Sequence, residues 1–300
     1  MNLLVVDLLR SLRKDGEVSR MRKKTVIGAA LMIGLGIWVL RGNKSVKVTH
    51  HEIRNEKIPS SISGYTIVHV SDYHNTLFGE NNKVLVDKIK ENKPDLIAVT
   101  GDLIDSRTTD LDVALLLMKE MRKIAPVYYV SGNHESRVPE FEVLENRLRE
   151  SGIEVLNDRM TIPNKEAAPI YLYGVRDPAF TRRKSGESEG IIMKKQLDTL
   201  PQYDHKYTIL LSHRPELLDL YAEYSFDLVL SGHAHGGQVR LPMFGGVLAP
   251  NQGFFPMLTS GMHKMNNTTM IISRGIGNSA FPLRVNNPPE LIVIKLFPEQ

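Results

Sequence analysis

Three short apolar runs, each followed at once by polar residues, constrain the fold of this chain more than any other feature. The segments between the runs carry apolar residues at helical spacing, so strand and helix alternate along the chain. Such alternation predicts parallel βαβ units, which place their chemistry at the carboxyl edge of the sheet. Asp72, Asp102 and Asn133 follow the runs at intervals of 30 and 31 residues, so we expect them at one edge. The runs are residues 65–70, 95–100 and 127–130.

Two further strand ends in the second half of the chain carry histidines. The apolar run 207–211 leads to His213, and the run 226–230 leads to Gly232-His233-Ala234-His235. Side chains two residues apart in an extended segment point the same way, about 6.5–7 Å apart, so His233 and His235 can each reach one of two neighbouring ions. Taken alone, a His-x-His pair is more typical of a surface strand or a single opportunistic site.

Eight side chains with oxygen or nitrogen donors follow the ends of five predicted strands. The sequence contains no cysteine, so a metal ion would have to be held by His, Asp, Glu or Asn. Each residue alone has a simpler explanation as a cap, a turn residue or a solvent-facing side chain. Five strand ends aligned by topology instead favour a metal centre. The eight residues are Asp72, His74, Asp102, Asn133, His134, His213, His233 and His235.

These motifs resemble the calcineurin-like metallophosphoesterase superfamily. Its pattern is matched by Asp72-x-His74, Gly101-Asp102, Gly132-Asn133-His134-Glu135, His213 and Gly232-His233-Ala234-His235. The flanks, Ser212-His213-Arg214-Pro215-Glu216 and Ser273-Arg274-Gly275-Ile276-Gly277-Asn278-Ser279, are similar to the membrane-associated bacterial branch of YaeI/YkuE-type phosphodiesterases. The resemblance covers roughly residues 45–298. It implies an α/β fold, a four-layer α/β/β/α sandwich in which two mixed sheets are flanked by helices.

The resemblance also implies a role for each matching residue. One ion would be held by Asp72, His74 and His235, and a second by Asn133, His213 and His233, with Asp102 bridging both. His134 would be the catalytic residue that faces the substrate, and Glu135 would lie behind the site. Hydrolysis would use a hydroxide that bridges the metals.

The set of donor atoms favours some metal ions and some reactions over others, but it does not specify one of each. Nitrogen and carboxylate ligands suit Mn, Zn or Fe better than Ca or Mg, and we expect two divalent ions, with Mn as the activating one. The leading hypothesis is a membrane-anchored phosphoester hydrolase that acts on a phosphodiester or phospholipid-like substrate. A phosphomonoesterase and a pyrophosphatase acting on a lipid-linked nucleotide sugar are alternatives. A metal-binding scaffold without activity would normally have lost ligands, and here no ligand is lost.

The N-terminal segment differs from the rest in charge and hydropathy. Residues 1–60 carry 12 Lys/Arg and 5 Asp/Glu, a charge of +7, against −3 for residues 61–300, which favours a membrane surface over nucleic acid. Residues 1–24 form a basic, amphipathic segment, residues 25–41 are predicted to be a membrane anchor, and residues 45–300 the catalytic domain. A cleaved signal peptide is the alternative for the apolar stretch. The distribution of Lys and Arg favours a catalytic domain outside the cytoplasm.

The sequence indicates the substrate-binding residues less clearly than the metal ligands. The charged segment 176–184 is predicted to be a loop that either grips a phosphate or is simply solvated, and Arg176, Asp177 and Arg274 are the candidate substrate-binding residues. The apolar, glycine-rich tract 241–257 follows the last histidines. It is predicted either to contact lipid or an acyl chain, or to be buried in the ordinary way.

Overall fold

Two six-stranded sheets carry most of the chain in a computed structural model, which describes residues 25–29, 31–34, 36–39, 41–163, 169–203, 205–278 and 283–299. The predicted amphipathic segment 1–24 lies outside the described residues. The strands of the first sheet are β1 (Lys47–Asn55), β16 (Glu290–Pro298), β2 (Tyr65–Val70), β3 (Leu96–Thr100), β4 (Val127–Val130) and β5 (Glu154–Val155), in that spatial order. All neighbours in it are parallel except β16 and β2.

The second sheet is also mixed. Its four central strands run parallel, and an antiparallel strand closes each edge. The order is β14 (Gly261–Met265), β15 (Thr268–Ile272), β9 (Leu228–Ser231), β8 (Thr208–Leu211), β7 (Tyr171–Gly174) and β6 (Arg159–Thr161). Two small hairpins follow β9, formed by β10 (Arg240–Leu241) with β11 (Gly245–Gly246) and by β12 (Leu248–Ala249) with β13 (Gly253–Phe254).

The helices cover the outer face of each sheet. The first sheet is covered by α2 (Lys83–Glu91), α3 (Leu111–Arg122) and α4 (Phe141–Glu150), and the second by α6 (Glu189–Thr199) and α7 (Leu218–Glu223). The prediction of a charged loop over residues 176–184 is wrong from residue 179 onward, because α5 (Ala179–Ser185) is helical there. This helix ends at Gly186, which has a left-handed conformation. The helix α6 has little apolar periodicity, and it was not predicted from the sequence.

Three separate apolar cores show that the sheets face each other. Side chains along a strand alternate between its two faces, so Val68 packs with the helices of the first sheet while Ile67 packs between the sheets. In the same way Leu210 faces α6 and α7, whereas Ile209 and Leu211 meet the first sheet. Strands buried on both faces are continuous apolar runs, which is why these were recognisable in the sequence. The predicted four-layer α/β/β/α sandwich is confirmed.

An exposed helix precedes the first sheet. Among the described residues one helix is long and apolar enough to cross a membrane, α1 (Thr25–Lys44), and the described part of its apolar stretch is not buried against the rest of the chain. Twenty residues at 1.5 Å per residue give about 30 Å, the thickness of a bilayer's hydrocarbon core. The helix extends three residues beyond the predicted anchor, as far as Lys44.

Candidate metal centre

The polar residues that follow β2, β3, β4, β8 and β9 lie together where the carboxyl ends of the two sheets meet. Three groups of side chains place their donor atoms within 4.8 Å of one another, which is close enough to hold metal ions. All are buried, although carboxylates and imidazoles are seldom fully removed from water without a partner. The groups are Asp72, His74, Asp102 and His235; Asp102, His213 and His233; and His74, Asp105 and His134.

One oxygen atom connects the first two groups. Oδ2 of Asp102 lies 3.5 Å from Nε2 of His74 and 3.2 Å from Nε2 of His213. The other oxygen, Oδ1, accepts a hydrogen bond of 2.8 Å from the backbone N–H of His134. The structure therefore brings Asp102 to the position between the two histidine groups that a bridging carboxylate would take.

The spacing of the donor atoms fits bound metal ions. Two nitrogens at about 2.0–2.1 Å from one ion, at tetrahedral or octahedral angles, are about 2.8–3.4 Å apart. Nε2 of His74 lies 3.2 Å from Nε2 of His235, and Nδ1 of His233 lies 3.2 Å from Nε2 of His213. Nε2 of His235 is also 3.2 Å from Oδ1 of Asp72. Divalent ions would satisfy all of these contacts at once.

Asn133 supplies a further observation in favour of a cation. Its side-chain oxygen Oδ1 is buried and has no hydrogen-bond partner within the described part of the chain. An acceptor left in that state is destabilising by about 1–3 kcal/mol, and a cation would satisfy it. Asn133 and the neighbouring His134 both line the same cavity.

Several of these residues adopt a backbone conformation that side chains disfavour. Asp72, His74, Asp102, His233 and His235 all have a positive φ, between 47° and 66°. A left-handed conformation at such a residue destabilises the folded state by about 1–3 kcal/mol, and it persists only where the surrounding structure enforces it. The tight turns direct their side chains back over the strand ends, where the donors converge.

Close packing at the carboxyl ends of the strands requires glycine at two positions, Gly232 against the other sheet and Gly132 against the neighbouring loop of its own sheet. A Cβ atom on Gly232 would lie 1.9 Å from Oγ of Ser71 and 2.4 Å from Oδ2 of Asp72. A Cβ atom on Gly132 would lie 2.3 Å from Oδ1 of Asp102. Both distances are far below van der Waals contact, so any other residue would displace the carboxylates of the site.

Burial keeps most of the imidazoles neutral. It lowers the pKa of His74 to about 3 and, together with nearby positive groups, holds the pKa values of His233 and His235 well below their ordinary value. Burial also opposes the charge on His213, but Asp102 outweighs it and raises the pKa of His213 to about 10. A neutral imidazole presents a lone pair to a metal, so His74, His233 and His235 are in a state suited to ligation, whereas His213 would release its proton when a metal binds.

Two buried arginines restrain the rings of the last two histidines. Nη1 of Arg214 lies 3.1 Å from Nε2 of His233, and Nη2 of Arg284 lies 3.2 Å from Nδ1 of His235. Arg214 is held in turn by both carboxylate oxygens of Asp177, at 2.6 and 2.9 Å. Neither arginine was predicted to take part in the site. Arg214 directly follows His213 in a motif that was recognised, whereas no local signal marks Arg284.

The catalytic candidate His134 has a defined tautomer. Its Nδ1 accepts a hydrogen bond of 3.1 Å from the backbone N–H of Ser106, so the proton of the neutral ring lies on Nε2. Burial lowers the pKa of His134, and the carboxylates of Asp102 and Asp105 oppose that shift. The ring is therefore neutral near pH 7, and its Nε2–H is a hydrogen-bond donor. Asp105, which the sequence analysis missed, lies 3.8 Å from Nδ1.

The predicted substrate-binding residues do not reach the cavity beside this cluster. That cavity has a volume of about 460 Å³, and its described wall includes none of Arg176, Asp177 and Arg274. Arg176 stacks over the ring of Phe180, and Arg274 binds Glu290 at 2.7 Å. The wall is formed instead by Asp102, Asn133, His134, Ser136, Arg137, Ala179, Arg182, Arg183, Glu189, Arg214, His233, His235, Pro250 and Asn251.

Comparison with known proteins decides the family. The family model described as calcineurin-like phosphoesterase matches residues 65–237, more than half of the chain. The chain belongs to the calcineurin-like phosphoesterase family. The chain is also 29% identical over 256 residues to the uncharacterized metallophosphoesterase YkuE of Bacillus subtilis, covering 84% of this chain and 85% of YkuE. The predicted superfamily and YkuE-type branch are confirmed.

Two other relatives of this calcineurin-like phosphoesterase extend the comparison. An uncharacterized metallophosphoesterase of Aquifex aeolicus is 28% identical over 258 residues, covering 84% of this chain and 92% of that protein. A "transmembrane protein with metallophosphoesterase domain" from Danio rerio is 27% identical over 284 residues, covering 91% of this chain and 63% of that protein. The protein is a metal-dependent phosphoester hydrolase, and its clustered His and Asp residues support a divalent, dinuclear centre.

Glu135 organises the loops that carry the site, and its replacement gives a first prediction. Its buried carboxylate accepts backbone hydrogen bonds from Asp102, Leu103, Ile104 and Gly132, at 2.7–3.2 Å. In Glu135→Gln an amide N–H₂ would face these donors, so we expect a loss of about 2–4 kcal/mol in the free energy of unfolding, measured with urea. Glu120→Gln, which breaks a surface pair with Lys123, is the control, with an expected loss under about 1 kcal/mol. Equal losses would contradict the assigned role.

The histidine pKa values predict how the stability of the metal-free protein depends on pH. His69 is buried in β2 and its pKa is lowered by burial to about 3, as is that of His74, while those of His233 and His235 are also depressed. Below pH 6.5 the unfolded chain binds protons at these positions and the folded chain does not, so each destabilises the fold by up to about 1.4 kcal/mol per pH unit as the pH falls.

The raised pKa of His213 has the opposite effect. Its contribution to stability is fully present below pH 6.5 and is lost only as the pH rises towards 10. Burial also raises the pKa of Asp72 to about 6 and that of Glu135 to about 7, and both groups act in the same direction as His213. Below about pH 6.5 the four depressed histidines outweigh these three raised groups, so we expect the free energy of unfolding, measured with urea in the presence of EDTA, to decrease between about pH 6.5 and pH 5. An unchanged or increasing value over that range would contradict the neutral state assigned to the buried imidazoles.

Proposed function

We propose that this protein is a membrane-anchored phosphodiesterase whose dinuclear centre is held by seven side chains. One ion is assigned to Asp72, His74 and His235, the other to Asn133, His213 and His233, and Asp102 joins them. The observation that carries the proposal is the position of Oδ2 of Asp102 between Nε2 of His74 and Nε2 of His213. When bound, divalent ions polarise a phosphoryl oxygen and lower the pKa of a coordinated water; Mn is the expected ion, with Zn or Fe as alternatives.

The protein's own groups bind the ester and stabilise its developing charge. His134 lines the cavity, and the Nε2–H of its neutral ring donates a hydrogen bond to a phosphoryl oxygen or to the leaving oxygen, which stabilises the negative charge that develops as the P–O bond breaks. The buried guanidinium of Arg214 also lines the cavity, where its charge attracts the phosphate. Water supplies the oxygen of the new P–O bond, and the leaving alkoxide gains the proton that this water releases.

The shape of the cavity favours a diester over a monoester. Its volume is about 460 Å³, and its described wall extends from Asn133 and His134, which follow β4, to Pro250 and Asn251 in the turn between β12 and β13, so both substituents of a phosphodiester have room. The test is hydrolysis of bis(p-nitrophenyl) phosphate against p-nitrophenyl phosphate with Mn, with EDTA as the control. Faster turnover of the monoester would refute the diester preference, and absence of any metal-dependent turnover would refute the site.

Two unpaired arginines favour a substrate with a second anionic group, such as the pyrophosphate of a lipid-linked nucleotide sugar. Arg137 and Arg183 line the cavity, and neither has a carboxylate partner within the described part of the chain. Arg183→Ala is expected to raise the KM for a nucleoside diphosphate ester by about tenfold and to change that for bis(p-nitrophenyl) phosphate by less than about threefold. Lys184→Ala, on the same helix but outside the cavity wall, is the control. Equal effects on both esters would contradict this role.

The anchor and its orientation belong to the same proposal. We assign residues 25–41 to the membrane and residues 45–300 to a catalytic domain on the extracytoplasmic face, supported by the exposed helix α1 and by the name of the Danio rerio relative. Protease added to intact cells is then expected to degrade the catalytic domain. Protection of that domain until the cells are permeabilised would reverse the orientation.

A further inference from the structure

A stretch without charge follows the last histidines and exposes large apolar side chains. No Asp, Glu, Lys or Arg occurs between Arg240 and Lys264. Met243 is 98% exposed and Met257 is 86% exposed. The hairpins β10–β11 and β12–β13 thus present an apolar surface, defined here as the apolar hairpins. Its exposed side chains are Leu241, Met243, Phe244, Leu248, Phe254, Phe255 and Met257.

The apolar hairpins are attached to the end of α1. The side chain of Asn43, in the last turn of that helix, donates to the backbone carbonyl of Arg284 at 2.8 Å and accepts from its N–H at 2.8 Å. The adjacent Val285 pairs with the chain at the start of β10, where its carbonyl accepts from Arg240 N–H at 3.0 Å. One backbone segment therefore separates the base of the helix from the apolar hairpins.

The base of α1 also carries positive charge. Arg41, Lys44 and Lys88 line one shallow depression there, together with Ile37 and Val84. Basic residues beside apolar ones match an anionic bilayer, whose headgroups attract Lys and Arg while its acyl region accepts aromatic and aliphatic side chains. Trp38, half exposed in the same helix, belongs to the residue type that favours this boundary.

We propose that the apolar hairpins insert into the surface of an anionic lipid bilayer beside α1. The inference rests on the membrane anchor proposed above and goes beyond it, because it assigns a second contact with the membrane. Pro250 and Asn251, in the turn between β12 and β13, also form part of the wall of the catalytic cavity. Insertion of these hairpins sets the cavity beside the headgroups, where the phosphoester of a membrane lipid can enter without leaving the bilayer.

A single introduced cysteine can be labelled without labelling of any other residue, because the natural chain contains no cysteine. Met243→Cys and Phe255→Cys in the full chain are labelled with an environment-sensitive fluorophore. The chain is reconstituted into vesicles of phosphatidylglycerol and phosphatidylcholine, with and without brominated acyl chains. Ile33→Cys in α1 reports on the anchor itself. Val143→Cys is the matched control. Val143 is a half-exposed apolar residue on α4, near the edge of the first sheet that lies opposite β1.

We expect blue-shifted emission and bromine quenching at positions 243 and 255, since apolar interfacial groups are buried by about 5–10 Å, and neither change at position 143. Hydrolysis of soluble bis(p-nitrophenyl) phosphate should equal that of the unmodified chain, which shows that the variants are folded. Quenching at position 33 without quenching at 243 and 255 would overturn the insertion of the apolar hairpins and leave the proposed anchor intact. Absence of quenching at position 33 would overturn the proposed anchor and, with it, the insertion of the hairpins. A blue shift that depends on protein density and not on bromine would assign the surface to a second copy of the chain and overturn the lipid contact.

Discussion

Asp102→Asn is expected to remove both metal ions and to reduce hydrolysis by at least about a thousandfold. Oδ1 of the asparagine can still accept from the backbone N–H of His134, but an uncharged N–H₂ would then face His74 and His213. That group offers no lone pair to a cation, and it leaves the two histidine groups without their common negative charge. The measurements are metal content after dialysis and turnover of bis(p-nitrophenyl) phosphate with added Mn.

Asp227→Asn is the matched control for this change. Asp227 is another buried carboxylate, but it lies at the opposite end of β9, where it accepts from the N–H and hydroxyl of Thr208. Its replacement should alter stability and leave metal content unchanged. Retention of two ions per chain by Asp102→Asn would contradict the bridging position, even if activity were lost.

His134→Ala is expected to retain both ions and to lose about a hundredfold or more of kcat. The side chain donates from Nε2 into the cavity, while its backbone N–H, which remains in the variant, holds Asp102 in place. The catalytic role of the His134 side chain can therefore be tested separately from metal binding, which depends on the backbone contact with Asp102. Metal content and kcat are measured on the same sample, and full metal occupancy with near-normal kcat would refute the catalytic role.

Ser106→Ala gives the control for the tautomer of His134. The backbone N–H that fixes Nδ1 as an acceptor is kept, and only the hydroxyl at 3.2 Å is lost. We expect a change in kcat of less than about threefold. A loss as large as that of His134→Ala would mean that the hydroxyl, and not the backbone, orients the ring.

The parts of the fold that the sequence predicted well are those with a strong local signal. The central strands β2, β3, β4, β8 and β9 are buried on both faces, so each is a mainly apolar run whose end lies close to the end of the strand. Their polar successors were predictable for the same reason. The helix α5 was predicted to be part of a loop, because its charged residues bury no apolar face and give no periodic signal.

Residues that act through a distant partner were not predictable. Arg284 reaches His235 across 49 residues of sequence, and Asp105 meets His134 across 29. Neither residue stands in a recognised motif. Arg176 and Asp177, which were predicted as substrate contacts, lie outside the described wall of the cavity. Asp177 instead holds the buried Arg214.

By itself the sequence determined the layered α/β architecture, the family and the set of donors at the strand ends, because strand burial and motif spacing are local properties of the chain. Only the tertiary structure decided that Oδ2 of Asp102 lies between two histidine groups, that Ser106 fixes the proton of His134, and that the apolar hairpins join the base of α1. These are contacts between segments far apart in sequence. Their distances follow from how the two sheets pack, and no periodicity within one segment encodes that packing.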